Sequence, residues 1–487
     1  VQTDAADNNV GIGWSALTAN TTGNSNVAIG SGALVALPEG DNIVAIGFNA
    51  GSGLDHSSNA ANVFIGSHSA VGTSGGVILR TVAIGDDALV DSNNEAVSYC
   101  TFVGSESGGG TWTGSGEYNT AIGYQAFKGP VNGANNNTAV GYASLVAITT
   151  GDSNVAVGSN AGDAITTGNL NVAMGLNALG KETIGTSTVA IGDNAGSQQV
   201  FGSTGSTSNV LVGSGAGFWN VTGAGNTYLG SGTGGGASGQ SNSNNTGVGK
   251  SALSLITTGS NNVAVGNTAG AVSTVEDDNV FIGKDSASIM YGASNVSVGK
   301  DALKGASFTE SGGVYNNDPT ITHTADSRIV AGLGVSGNGI PVGSHISSIT
   351  DGTHFELSAS TTGGAKTSQT LTFYSRSTGS VALGYQSLTA LTAGNSNIAI
   401  GYQAMKEHQT GDSNTVIGHG AMSDSNNHAG YHNTFLGASS GGGGWSGAAH
   451  SNTAVGSSSF SGGAKTATAV GNVAVGRDSL YALTTGA

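Results

Sequence analysis

The sequence predicts an all-β fold: a β-solenoid of about 23 coils of 17–19 residues, assembled as a homotrimeric fibre and interrupted by one small antiparallel β-domain. Three observations predict it. Composition is the first: of 487 residues, 85 are Gly, 4 are Pro and 9% are charged, far from an ordinary globular domain. With no Gly-X-Y period collagen is excluded, and 37% apolar residues in regular order argue against disorder. A repeat is the second, marked by N-V-A-I-G at Asn26–Gly30, N-V-A-V-G at Asn154–Gly158 and N-I-A-I-G at Asn397–Gly401. Aligned on that Gly, 23 copies run from Gly13 to Gly476, mostly 17 to 19 residues apart. The third is a single break in the rhythm, where 85 residues separate Gly299 from Gly384.

Each position of the unit has its own physical reading. Three residues before the Gly every copy carries Val, Ile or Thr, as at Val27, Val155 and Ile398. One residue before it stands Ile, Val, Leu or Met, as at Ile29, Val157 and Ile400. These types suit a pleated strand, and residues two apart share a face, so this face is expected to be the core. Four residues before the Gly, 18 of 23 copies have Asn, among them Asn26, Asn154 and Asn397. Their stacked amides are expected to bond the next rung's Asn or the turn backbone. The Gly itself (Gly30, Gly158, Gly401) is expected at positive φ, or where a neighbouring backbone leaves no room for a Cβ. Three residues after it comes Ala or Ser, or once Thr at Thr233, which predicts close packing there. The residue just after the Gly ranges over Trp14, Phe48, Asp86, Tyr124, Lys250, His419 and Arg477, a freedom that means solvent. In that slot Tyr124 with Tyr142, and Tyr385 with Tyr402, should form surface ladders.

A unit this short cannot bury its own apolar face and must lie on its neighbours. At ~4.8 Å per rung, 23 coils predict a rod of roughly 110 Å. Two or three small aliphatic groups per coil make a thin core for a free monomer. Together with the small residue after each Gly, this predicts tight approach between chains in a homotrimer. The repeats occupy 1–304 and 380–487. Between them, 305–379 alternates as strands do, with I-S-S-I-T, Asp351-Gly352 and T-H-F-E-L-S reading as a hairpin and Gln369–Tyr374 as a further strand.

The unit N-x-A-I/V-G-x-x-A/S, with spacers such as T-T-G-N-S at Thr21–Ser25 and T-T-G-D-S at Thr149–Ser153, resembles the repeats of phage tail fibres and of trimeric autotransporter adhesin heads. The resemblance covers nearly the whole chain except about 80 residues. It implies a trimeric left-handed β-roll or related β-solenoid that projects from a virion and touches a host receptor, a surface glycan or protein, beside other fibre or tail proteins. Autotransporter head units are shorter, and neither stalk heptads nor an anchor is seen, which favours the phage reading. The alternatives are a bacterial adhesin head at the outer surface, recognised by a membrane-anchoring barrel in the complete gene, and a fibre-borne glycan depolymerase, recognised by new reducing ends. The sequence opens and stops within repeats, as expected of part of a longer protein.

The net charge of -16, from 29 acidic against 13 basic residues, speaks against nucleic acid and anionic membrane as partners. Apolar runs fall far short of the ~20 residues that span a bilayer. Receptor contact points to aromatic rings on Gly-rich turns. Trp112 and Trp445 each stand eight residues beyond a repeat Gly, and Trp219 lies in a related bulge. In the insert, His323, His345, His354 and Phe355 are the candidates, set against a reading as ordinary core of a steric collar. His428 and His432, near His419, are weak candidates for a metal on the trimer axis. Asp152, Asp412 and Glu276-Asp277-Asp278 read as solvated turns, since no repeat-type calcium signature is present. Cys100 replaces a ladder Asn and reads as a small buried thiol. No cofactor site, catalytic constellation or enzymatic activity is expected.

Overall fold

The computed structural model describes residues 6–72, 75–93, 95–202, 205–239, 241–425, 430–445, 447, 450–463 and 469–483. Among these are strands, turns and bends but no helix, and hence no helix long and apolar enough to cross a membrane. The chain divides into two compact units, Val1–Asn226 and Thr227–Ala487. Each is a parallel β-solenoid. The first holds twelve three-residue strands from Val10–Ile12 to Val210–Val212, and the second eleven from Thr227–Leu229 to Val473–Val475, one for each copy of the repeat. Neighbouring strands pair in strict register, as Val27, Ala28 and Ile29 do with Val44, Ala45 and Ile46.

The strands end after three residues because the Gly that follows takes a conformation closed to other residues. At Gly30 φ is 139°, and a Cβ there would lie 2.2 Å from the carbonyl oxygen of Gly47 on the next rung. Both reasons expected for the Gly therefore hold at once. Beyond it the turns remain hydrogen-bonded from rung to rung: Gly32 N–H donates to Trp14 O (2.9 Å) and Leu34 N–H to Ala50 O (3.0 Å).

The core lies on the other face of the strand from the one expected. In almost every rung the middle residue is buried, and the residues one and three before the Gly face outward, half-buried or exposed. A three-residue strand offers only two faces, and the coil curls toward the one bearing the middle side chain. The small residue after the Gly is also inside the coil, with Ala33, Ala50 and Ser107 fully buried. The tight approach predicted there is between parts of one chain, so it carries no argument for a neighbouring chain.

In several rungs the middle strand residue and the fourth residue after the Gly trade volume. Where the strand has Ala28 or Ala83, the turn supplies the buried Leu34 or Leu89. Where the strand has Phe102, Tyr228 or Phe435, the turn has Gly108, Gly234 or Gly441. A Cβ on any of these glycines would come within 2.2–2.4 Å of the ring. Rungs that are small at both places, such as Ala156 with Gly162 and Ala264 with Gly270, are filled instead by Ile165 and by Phe281 of the next rung, which a Cβ on the glycine would meet at 2.9 and 2.5 Å.

The Asn ladder uses both bonding modes expected of it. Asn154 N–H donates to Asn137 Oδ1 (2.9 Å), while its Nδ2 donates to Asn137 Oδ1 (3.1 Å) and to Gly168 O (2.8 Å). Cys100 fills a ladder slot as a buried thiol, donating to Ser98 O (3.3 Å) and accepting from Asn119 N–H (3.4 Å). Burial pushes that thiol up to about 12. A second ladder escaped the sequence reading: Asn135 N–H donates to Asp152 Oδ1 (2.7 Å), and Asp152 N–H to Asn169 Oδ1 (2.6 Å).

Seven residues after the Gly the interior column is aliphatic in several rungs, as at Leu37, Ile148, Ile165, Ile256 and Leu391. Polar members occur too. In the first unit Glu182 is buried but satisfied, since its carboxylate accepts from the backbone N–H of Thr183, Ile184 and Gly185 and from Gln199 Nε2. In the second unit His408 is fully buried and neither ring nitrogen makes a well-formed hydrogen bond. Burial holds its imidazole down at about 4, against an ordinary 6.5. An unfolded chain therefore takes up a proton below pH 6.5 that the native fold refuses until about pH 4, so stability is full above that window and falls through it. The expected loss between pH 7 and 4 is about 3 kcal/mol greater for the natural protein than for His408→Leu. Denaturant titrations at several pH values check it; parallel curves for the two proteins would contradict it.

The insert lies within the second unit. Strands Ser307–Asn316 and Ala365–Arg376 pair antiparallel, Gly334–Ser336 joins Ala365–Arg376, and Thr320–Thr322 links Ser307–Asn316 to the hairpin of His354–Leu357 and Ile346–Asp351. The predicted hairpin and last strand are present. Ser307–Asn316 and Gly334–Ser336 were not foreseen, being rich in Ser and Gly. The core gathers Tyr315, Ile321, Leu333, Phe355, Leu371 and Phe373. Across the insertion the coil resumes in register, Val296–Val298 on Val381–Leu383. The Asn ladder spans it as well, for Asn295 Nδ2 donates to Ser377 O (2.7 Å) and Asn295 Oδ1 accepts from Ser380 N–H (3.0 Å).

Candidate functional site

Because the middle residue of each strand turns inward, the two positions beside it, one always aliphatic and the other Val, Ile or Thr, form an outward stripe along each unit. Ile122 is 42% exposed, Met174 39%, Ile191 37% and Ile282 39%, while their strand partners Thr120, Val172, Val189 and Val280 are half-buried. Every rung adds two such side chains at one register. If each leaves on the order of 50 Å² uncovered, a dozen rungs present on the order of 1,000 Å², above the roughly 300–600 Å² patch of a typical monomer. Surface strands normally put polar residues there. One outward position is aliphatic in all 23 copies, and the other is Val or Ile in 15 and Thr in eight. No charged side chain occurs at either position, so the stripe offers dispersion and desolvation rather than ion pairs.

No family model and no curated protein matches this chain.

The variable slot after the Gly is in solvent, as expected. Trp14 is 80% exposed, and Tyr124 stacks on Tyr142 (ring centroids 5.8 Å apart) and Tyr385 on Tyr402 (5.4 Å). The predicted surface ladders are present. His419 extends the second, 5.0 Å from Tyr402.

Two of the three tryptophans proposed for receptor contact are inside the coil. Trp112 and Trp445 are each 1% exposed, and their Nε1–H groups donate to Gly108 O (3.1 Å) and Gly441 O (3.2 Å). Gly108 and Gly441 clear the room these rings fill, beside Phe102 and Phe435 at 6.2 and 6.3 Å. Neither ring can stack on a sugar from there. Trp219 remains half-exposed, edge-on to Phe218 at 4.7 Å.

In the insert, Phe355 is fully buried and His323 nearly so, its Nδ1 against Thr324 O (2.6 Å) and its ring 5.1 Å from Phe355. Both belong to the module's core, which removes them as surface contacts. His354 stays partly exposed and bonds Asp351 (Nδ1–Oδ1 2.9 Å). With Thr353 it holds the Asp351 carboxyl well below the usual carboxylate range. His345 is half-buried, and burial together with the nearby Arg376 charge depresses its imidazole. Of the proposed metal ligands, His432 sits in an exposed turn and His428 lies outside the described residues. Among the described residues the grouping of three potential ligands is instead His68, Asp86 and Asp87, at the surface of the first unit. Asp152 and Asp412 accept from turn N–H groups of the preceding rung, a structural role.

Proposed function

We propose that the chain is a segment of a homotrimeric bacteriophage tail fibre that projects host-receptor binding, to a surface glycan, away from the particle. The outward stripe carries this reading: a face with an aliphatic residue on every rung, flanked by Val, Ile or Thr, calls for an identical face, and copies of one chain in the same register supply it. The resemblance of the N-x-A-I/V-G-x-x-A/S unit to fibre repeats favours three chains over two. Action then rests on stiffness, reach and threefold avidity rather than turnover. The stripe orients the chains, and the exposed turns and the insert remain outside for other fibre proteins and for the host surface.

Light scattering tests the assembly. The natural protein is expected at three times the 47.2 kDa chain mass. Val157→Asp combined with Ile191→Asp would bury unpaired charge at the contact, at a cost of several kcal/mol, and should shift the mass toward one chain while the β-sheet circular dichroism persists. A natural protein that stays a stable monomer at micromolar concentration would contradict the reading.

A further inference from the structure

Where the insert rests on the coils of the second unit, a cleft of about 260 Å³ opens between them. Its polar wall is made by Thr274, Glu276, Tyr291 and Arg376, with Ser336 and Tyr374 facing them. Glu276 occupies a turn position that is Gly259 one rung earlier and Gly394 and Gly411 in later rungs. Its backbone does the ordinary work of that position: Asn262 Nδ2 donates to Glu276 O (2.8 Å) as Asn245 Nδ2 does to Gly259 O (2.9 Å). The side chain is therefore an addition to the repeat. Its carboxylate folds back to accept from Thr274 N–H (2.8 Å) and Val275 N–H (3.0 Å) and is buried at the cleft.

Arg376 ends the last strand of the insert, in parallel register with Tyr291. Among the described residues no carboxylate comes within ion-pair distance of it, although Glu276 lines the same cleft and lies within reach of its field. The Glu276 carboxylate is held by two backbone N–H groups, and the half-buried Arg376 does not close on it, so the guanidinium is left to meet an anionic group that enters the cleft. Thr274 Oγ1 is buried there without a hydrogen-bond partner. Ser336 Oγ and Tyr374 OH, 2.8 Å apart, bond each other and retain further capacity. The rings of Tyr291 and Tyr374, with centroids 4.7 Å apart, form an aromatic wall continued by Val335, Ile340 and Val342.

The volume is below the roughly 300–1,000 Å³ of drug-sized sites and suits one ring. A sugar presents C–H faces to aromatic walls and hydroxyls that donate and accept, which matches the alternation of hydroxyl and carboxylate groups. A neutral sugar would leave Arg376 unmatched, and a zwitterionic amino acid would leave the hydroxyls unmatched. A carboxylate on the sugar suits the planar guanidinium fork. We propose that this cleft binds a single acidic sugar residue, its carboxylate on Arg376 and its hydroxyls on Glu276, Ser336 and Tyr374. The proposal rests on the receptor-binding reading above and gives it a place and a ligand class.

The test is ligand-observed NMR on the whole protein with methyl glycosides of glucuronic, galacturonic, mannuronic and N-acetylneuraminic acid, beside methyl glucoside and free alanine. At least one acidic glycoside is expected to bind with Kd on the order of 1 mM, about tenfold tighter than methyl glucoside. Arg376→Met should abolish that binding, and Glu276→Gln should weaken it about tenfold with unchanged circular dichroism. The cleft proposal is overturned if no acidic glycoside binds, if methyl glucoside or alanine binds equally well, or if binding survives both substitutions. Adhesion of the protein to glycan-bearing cells, measured separately, would leave the receptor-binding reading standing in any of those cases.

Discussion

Replacing Gly158 with Val is expected to destabilise the first unit by about 4 kcal/mol or more, the sum of a strained backbone and a steric clash. At Gly158 φ is 138°, a region β-branched residues do not occupy, and a Cβ would meet the carbonyl oxygen of Gly175 at 2.6 Å. That oxygen cannot move away alone, because the next rung is held in the same register by Val172 N–H to Thr188 O and Gly175 N–H to Val157 O. A coil touches only its two neighbours, so a rung pushed out uncouples the rungs above from those below. Ser159→Val, one residue on in the solvent slot, is the control and should stay within about 0.5 kcal/mol of the natural protein. Thermal unfolding of the three proteins checks the pair of expectations. Equal melting temperatures for all three would show that the rung spacing is not what excludes a Cβ.

Trp112→Ala should cost about 3–5 kcal/mol by emptying the largest buried side chain of the first unit. The cavity would be walled by Phe102 and Phe127, whose ring centroids lie 6.2 and 6.4 Å from the indole, and Gly108 O would lose the N–H that now satisfies it. Trp112→Phe separates the two losses: it keeps most of the volume and should cost only about 1–2 kcal/mol. Denaturant unfolding followed by tryptophan-independent circular dichroism gives the numbers. An alanine variant as stable as the natural protein would contradict the interior placement and restore the ring to the surface.

The spacing of the repeat was enough to read the strands, the Gly conformation, the Asn ladder, the exposed slot and the hairpin of the insert. Each of these is a local demand met by one residue type at one position. Which face of the strand turns inward was not legible in the same way. The flanking positions looked like core because they keep to β-branched and aliphatic types, whereas the middle residue ranges from Ala28 to Phe102 and Tyr228 and looked unconstrained. Its size is traded against the fourth residue after the Gly and against side chains of neighbouring rungs, so no single position shows the constraint. That same pairing would have revealed Trp112 and Trp445 as interior, since each follows a Gly that opens the coil beside a Phe. In the cleft, Glu276 was hidden in a run with Asp277 and Asp278 that reads as a solvated turn. Its difference from its neighbours emerges only when it is aligned with Gly259 and Gly394.

Chemical cross-linking at adjacent strand positions decides most directly between the two faces. In a Cys100→Ser background, a residue the ladder already accepts at Ser380, single cysteines would be placed at Val157 and at Ala156 and treated with a short bismaleimide. The outward stripe at an interface between chains predicts interchain cross-links from Val157→Cys and none from Ala156→Cys, whose side chain lies inside its own coil. Cross-links from position 156, or a position 157 that labels freely as a single chain, would contradict it.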